Sequence, residues 1–296
     1  MRGKIKKLFK ELYREIPFKK QFYSLLKLFW LPPHSIYKHL YFWDDFRVRV
    51  ENRAFKIRHY GYEIENELFW RGIDRGYEKI SLQIWGKLCK ESKVILDIGA
   101  NTGVYSLMAK TINPSARVYA FEPLEQVFDK LQSNCRLNSY DISCLEVAAS
   151  NYDGKAKVYL SSMEHAYSVT VNENRCDSAR EVFEQEVRTI KLSTFIDENQ
   201  IPIIDLMKID VETHELQVLK GMEGYLDQMR PSMIIEVLND EVGRDIEGLL
   251  GGKGYLFFNI DEGGAIKQVE SIRKSDHFNY LICNEGMARK LQLLHV

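Results

Sequence analysis

A few acidic and glycine-rich segments hold the residues that could do chemistry. The clearest is Asp97-Ile-Gly99-Ala-Asn101-Thr-Gly103, which ends an apolar run begun at Val94 and precedes a helical pattern. Glycines there let the backbone turn sharply and approach a ligand with no Cβ in the way. The helix start beyond offers free amides and partial positive charge. Dinucleotide sites use Gly-x-Gly-x-x-Gly to seat a pyrophosphate on such a helix end. This chain lacks the tight glycine pair, and Asp97 stands at the mouth. A carboxylate repels a pyrophosphate and attracts a cation such as the amino group of a methionine moiety. That charge logic favours S-adenosylmethionine over a nicotinamide cofactor, although the same residues also suit a tight turn with no ligand.

A second acid, Glu122, ends Val118-Tyr-Ala-Phe121 and lies 19 residues after Gly103. An acid at the tip of a second strand is where a ribose diol is gripped by paired hydrogen bonds. Further along, Leu206-Met-Lys-Ile-Asp210-Val-Glu212-Thr-His214-Glu215 ends a fourth apolar run, and Glu236 ends a fifth. Ligands of open α/β sheets bind beyond the carboxyl ends of strands, so these side chains share one rim. A hydroxyl that attacks an electrophilic methyl group needs in-line placement and a base for its proton. Asp210, Glu212, His214 and Glu236 are the candidate catalytic groups. Helix capping by Asp210 and Glu212, and a local hydrogen bond at His214, remain open. Asp210 and Glu236 offer hard oxygen ligands for Mg²⁺, but nothing in the spacing demands a metal and none is expected.

The elements that must position these residues follow from hydrophobic periodicity. Strand candidates are Val94–Ile98, Arg117–Phe121, Ser143–Ala148, Ile203–Ile209, Met233–Val237, Tyr255–Ile260 and Tyr280–Cys283. Helical patterns follow the first, second, fourth and fifth. Strands alternating with helices imply a parallel sheet with right-handed crossovers and helices on both faces. The last two strands are expected to form an antiparallel pair at the sheet edge. Residues 150–190 read as an insertion or lid. Ahead of this domain, taken as 91–296, lie two regions. In 44–90, Phe46, Val48 and Val50 alternate with Arg47, Arg49 and Glu51 and predict a hairpin with Phe55 and Ile57, followed by a helix over Ile80–Leu88. In 1–43, Ile5, Leu8, Phe9, Leu12 and Ile16 form a helical stripe opposite Lys6, Lys7, Lys10 and Arg14. After Pro17, a second stripe runs through Phe22, Leu25, Leu26 and Phe29 until Pro32-Pro33.

Of the 296 residues, 45% are apolar and 28% charged, which excludes a disordered or membrane-embedded chain. The net charge of -1 conceals an asymmetry. Residues 1–42 carry ten Lys/Arg against two acids, and the remainder is correspondingly acidic. An acidic body argues against a phosphate backbone as partner. The basic arm suits an anionic surface, giving peripheral contact with the inner membrane face, or its apolar stripes pack on the body or pair two copies as a homodimer. The most apolar early stretch, Phe22–Leu31, is too short to span a bilayer. The five cysteines are odd in number and lack metal-ligand spacing, so a cytoplasmic, reducing setting is expected.

Taken together, Asp97-Ile-Gly-Ala-Asn-Thr-Gly103, Phe121-Glu-Pro123, Asn138, Ala148-Ala-Ser150 and Lys208-Ile-Asp-Val-Glu-Thr-His-Glu215 with Leu219-Lys-Gly221 resemble the FkbM-type methyltransferases. The resemblance covers about residues 60–285. The segment Ile64-Glu-Asn-Glu-Leu-Phe-Trp70 also resembles the entry segment of bacterial members near polysaccharide pathways. The resemblance implies a seven-stranded Rossmann-like sheet, S-adenosylmethionine as cofactor, and O-methylation of a sugar, glycan or other small acceptor. It also implies that Asp97, Gly99, Asn101, Gly103 and Glu122 line the cofactor, with Asp210 and Glu212 bordering the acceptor. Where the family often has glycine after the Asp-x-Glu acids, this chain has Thr213. The competing expectations are methylation of nucleic acid or an amino group, and a non-catalytic adaptor that retains the fold. The first would place Asn/Asp-Pro-Pro-aromatic after the fourth strand, and no proline stands there.

Overall fold

The computed structural model describes residues 13, 16–76, 78–160, 169–171 and 183–294. The stripe over Ile5–Ile16 therefore lies almost wholly outside the described residues, as do 161–168 and 172–182 of the expected insertion. The chain divides into two compact units, Met1–Tyr77 and Glu78–Val296.

The first unit contains helix α1 (Lys19–Phe29), the short α2 (His34–Tyr37), strands β1 (Asp45–Val50) and β2 (Arg53–Arg58), and helix α3 (Glu63–Arg71). The hairpin expected from alternation is present. Phe46, Val48 and Val50 are buried while Arg47 and Arg49 face water, and β1 pairs antiparallel with β2 from Asp45↔Arg58 to Val50↔Arg53. Helix α3 begins where the Glu65 carboxylate accepts the Tyr60 and Tyr62 amides, which satisfies donors that a helix start otherwise leaves open. Tyr23, Tyr37, Phe42, Phe46, Phe69 and Trp70 form its aromatic interior. Burial pushes the His59 imidazole down to about 4, with its Nε2 3.3 Å from Asn66 Oδ1.

The second unit is built on an eight-stranded, mostly parallel Rossmann-like sheet. Its strands are β3 (Val94–Ile98), β4 (Arg117–Phe121), β5 (Ile142–Leu145), β10 (Leu206–Ile209), β11 (Ser232–Glu236), β12 (Tyr255–Asp261), β13 (Ala265–Val269) and β14 (Asn279–Asn284). The order is β13-β12-β14-β11-β10-β3-β4-β5. Strands β11, β10, β3, β4 and β5 run parallel, and β14 lies antiparallel to both β11 and β12. The last two expected strands do pair antiparallel, but β14 is inserted between β11 and β12. The edge is formed instead by an eighth strand, β13, from the Gly-rich link, whose turn had hidden a hairpin.

The expected Ser143–Ala148 strand divides. Ile142–Leu145 stays in the main sheet, and Ala148–Ser150 becomes β6 of a second sheet. That sheet has the order β6-β9-β7-β8 with β7 (Gly154–Leu160), β8 (Val169–Val171) and β9 (Phe183–Lys191). Leu124, Val127, Ala148, Ala156, Val158 and Val187 are buried together beneath it.

Side chains alternate across the main sheet with period two. Val94, Leu96, Ile98, Met207, Ile209, Met233 and Ile235 point into one apolar core. They meet Phe195 of α7 (Leu192–Glu198), Val218 and Leu219 of α8 (Glu215–Lys220), and Ile246 of α10 (Asp240–Leu250); α9 (Gly224–Met229) precedes β11. The other face is covered by α4 (Lys79–Glu91), which packs on β11 and β12, and by α5 (Val104–Ile112), which packs on β3 and β4. Helix α6 (Glu125–Leu137) follows β4. Asp97, Lys208 and Glu236 have the parity of this second face.

Candidate functional site

The strand tips are drawn together by ladder bonds that continue past the strands. Gly99 and Ala100 amides donate to Phe121 O at 3.0 and 2.9 Å, Asp210 N donates to Ile98 O at 3.0 Å, and Glu122 N donates to Leu145 O at 3.0 Å. Gly99 sits at φ +79°, and a Cβ on it would stand 1.9 Å from the Asp210 carbonyl oxygen. Only glycine lets these two backbones cross so closely.

Asp97 is buried, and its Oδ2 accepts the Ser106 amide at 2.9 Å and the Ser106 hydroxyl at 2.6 Å. The carboxylate thus caps α5 from the preceding strand, and Gly103 at φ 93° starts that helix. Burial pushes Asp97 up to about 6, opposed by the Ser106 bonds and the Lys208 charge. Glu122 Oε2 accepts the Asn101 amide and its Oε1 the Leu124 amide, both at 3.1 Å. Burial raises Glu122 to about 7. Its position therefore holds the Gly99–Gly103 turn against the tip of β4. A carboxylate has about four lone-pair sites, so two backbone bonds leave Glu122 with capacity for a ligand's hydroxyls. In the same turn the buried Asn101 Oδ1 and Thr102 Oγ1 have no hydrogen-bond partner among the described residues. A buried acceptor without a donor is costly, and a ligand ammonium or hydroxyl placed there would satisfy it.

At the tips of β10 and β11 a buried cation organises the acids. Lys208 is 1% exposed, aligned with Asp97 across β3 and with Ile234 across β11, and its Nζ donates to Asp210 Oδ2 at 2.9 Å. Burial alone would lower its pKa, but the charges of Asp210, Glu78 and Glu236 outweigh it and raise the ammonium to about 12. Its Nζ also stands 5.2 Å from the centre of the Tyr105 ring. Glu236 is pushed up to about 9 by burial and then by Asp210, with Lys208 pulling the other way. Glu78 rises to about 7 by burial, and its Oε1 accepts Asn279 Nδ2 at 3.3 Å. Asn279 is the β14 partner of Glu236. Glu212 rises to about 7 through burial and the neighbouring Asp210 and Glu215 charges.

The segment after β10 is tightly wound. Glu215 is buried, and its Oε1 accepts the Val211 and Thr213 amides at 3.2 and 3.1 Å. Glu212 and Thr213 adopt φ of 52° and 80°. A β-branched residue is rarely found in that region, so the position where the resembled family favours glycine does carry a glycine-like backbone. His214 precedes α8 and places Nε2 3.0 Å from the Ser150 hydroxyl of β6.

The sequence-based candidates thus fall into three places. Asp97, Gly99, Asn101, Gly103 and Glu122 share one turn. Asp210, Glu212 and Glu236 lie within electrostatic reach of one another around Lys208. His214 is turned toward Ser150. Sequence reasoning missed Lys208, Glu78, Tyr105, Asn279 and Glu215 as parts of the cluster. A lysine inside the apolar run Leu206–Ile209 was the available signal, since a buried charge requires a partner. Among the described residues no group of three or more His, Cys, Asp or Glu side chains is arranged to hold a metal ion. The Lys208 ammonium supplies the positive charge on which these acids converge.

Comparison with known proteins extends this geometry. The sequence signature described as the methyltransferase FkbM domain matches residues 97–257. The chain is 26% identical over 184 residues to the hexuronic acid methyltransferase AglP of Haloferax volcanii, covering 62% of this chain and 72% of that protein. It is 27% identical over 219 residues to the 31-O-demethyl-FK506 methyltransferase FkbM of Streptomyces tacrolimicus, covering 64% and 82% respectively. Among solved structures it is similar to methyltransferase FkbM from Methylobacillus flagellatus KT, with a TM-score of 0.41 and 15% identity over 65% of this chain and 44% of that one.

Proposed function

Since this chain belongs to the FkbM-domain methyltransferase family and is a methyltransferase, we propose that it methylates a hydroxyl of a sugar, glycan or other small acceptor, using S-adenosylmethionine. The single observation that carries the cofactor half is the joining of two acids at neighbouring strand tips. Asp97 and Glu122 flank one turn, in which the buried Asn101 Oδ1 has no hydrogen-bond partner among the described residues. These residues fit a cationic nucleoside. Asn101 Oδ1 would accept from the amino group, the Asp97 charge would favour it, and Glu122 would take the ribose hydroxyls. When bound, S-adenosylmethionine supplies an electrophilic methyl group.

The chain's own part is to orient the acceptor hydroxyl and remove its proton. Asp210 has one carboxylate oxygen engaged by the Lys208 ammonium. Glu236 is the most basic carboxylate of the cluster once ionised, and so is the strongest group for the proton. Glu212 borders the same space. One relative's name points to a hexuronic acid and another's to a 31-O-demethyl compound, which supports an oxygen acceptor of the sugar or natural-product class.

Transfer of labelled methyl to an array of nucleotide sugars and glycans tests the reading. Product is expected with the native chain and lost in Asp97→Ala. Calorimetry should show Glu122→Ala weakening S-adenosylmethionine binding, with Glu212→Ala leaving it largely intact while slowing turnover. Equal loss of cofactor affinity in both variants would overturn the division into cofactor and acceptor sides.

A further inference from the structure

Helix α1 of the first unit is turned the wrong way round for a helix of a water-soluble surface. Its Lys19 and Tyr23 are buried, whereas Phe18 just before it and Phe22, Leu25 and Phe29 within it are exposed. At 100° per residue the three within the helix fall within an arc of about 60°. Leu28 and Trp30 stand exposed beside them. Of the ten large apolar side chains that the described residues expose, eight lie between Ile16 and Ile36. Taking about 200 Å² per ring, the three phenylalanines alone leave on the order of 400 Å² of apolar surface in water, as large as the patches that mark interaction sites. This patch sits in the basic part of the chain, where residues 1–42 carry ten Lys/Arg against two acids.

We propose that this face docks on an anionic lipid surface, with the Phe18, Phe22, Leu25 and Phe29 stripe entering the interface between headgroups and acyl chains. Charge decides among the occupants an apolar stripe could have. A second copy would bring two strongly basic segments together, whereas a bilayer containing anionic lipid attracts the segment and accepts the rings. No helix among the described residues is long and apolar enough to cross a membrane, so the contact is interfacial.

The test uses the full-length chain with phosphatidylcholine vesicles, alone or with about one-third phosphatidylglycerol. Co-sedimentation is expected with the anionic vesicles, together with a blue shift of Trp30 emission. Adding molar salt should release most of the protein. The F22S/F29S double variant should partition at least about tenfold less while keeping the native circular dichroism, because both rings are exposed in the folded state. No binding to anionic vesicles would overturn the proposal, as would equal partition of the double variant. Loss of a concentration-dependent dimer in F22S/F29S, without vesicle binding by the native chain, would assign the face to a second copy instead.

Discussion

Replacing Lys208 with methionine keeps an unbranched apolar stem in the sheet and removes the ammonium at its end. In the native chain the pull of Asp210, Glu78 and Glu236 exceeds the cost of burying that charge, and the ammonium rises from 10.5 to about 12. At 1.36 kcal/mol per pH unit, this is a net preference of about 2 kcal/mol for the charged form. Removing the cation abolishes that preference and leaves buried carboxylates unneutralised, a change that costs about 3–5 kcal/mol when the carboxylates are ionised. The loss must depend on pH. Glu78 and Glu236 already bind protons more tightly in the folded chain, at about 7 and about 9, and both rise further without Lys208. The unfolded chain loses the same protons near about 4.3. Between these limits the folded variant holds more protons than the unfolded one, so its stability falls as pH rises, by up to about 1.4 kcal/mol per pH unit for each such acid. Urea unfolding of wild type and Lys208→Met at pH 6, 7, 8 and 9 reads this directly. The gap between them should be small at pH 6 and still be widening at pH 9, where Glu236 of the native chain is half ionised. A gap of constant size would mean that Lys208 acts through packing, and the electrostatic account of the cluster would fail.

Three further outcomes follow from the same physics. Turnover should climb about tenfold per pH unit from pH 7 toward a plateau near about 9, as the Glu236 carboxyl ionises. Glu236→Gln should remove both the climb and most of the rate, and a flat native profile would exclude Glu236 as the base. In the first unit His59 stays neutral because its pKa is depressed to about 4. The unfolded chain takes up that proton near about 6.5, so stability is complete above that value and declines by about 3 kcal/mol as pH falls from about 6.5 to 4. His59→Asn should flatten this limb of an acid-unfolding curve. Thr213→Gly relieves a β-branched residue at φ 80° and should raise the urea midpoint by the equivalent of about 1 kcal/mol, after allowing for the added freedom of glycine in the unfolded chain. A lowered midpoint would show that the Thr213 side chain contributes more than its backbone costs.

The Gly99–Gly103 turn was legible because it is local. Strand, acid, glycines and helix start follow one another within a dozen residues, and each has its own propensity reason. The hairpin at Phe46–Ile57 and the alternation of strands with helices were legible for the same cause. The divided strand at Ile142–Ser150 was not, because a change of sheet leaves the period-two pattern nearly continuous. Nor was β13, whose partly exposed residues carry little hydrophobic signal.

What the chain's order alone determined is therefore the set of local devices: the Gly99–Gly103 turn, the acids at strand tips, and the amphipathic stripe of α1. Tertiary structure decided which of them meet, and which way the stripe faces. Lys208 can be a stable cation only where β3, β10 and β11 place Asp97, Asp210 and Glu236 on one face and α4 brings Glu78 beneath them. These are pairings between residues as many as 158 positions apart (Glu78 and Glu236). A buried charge takes its meaning from its neighbours, and neighbours so distant in sequence are chosen by sheet register, which no local pattern encodes.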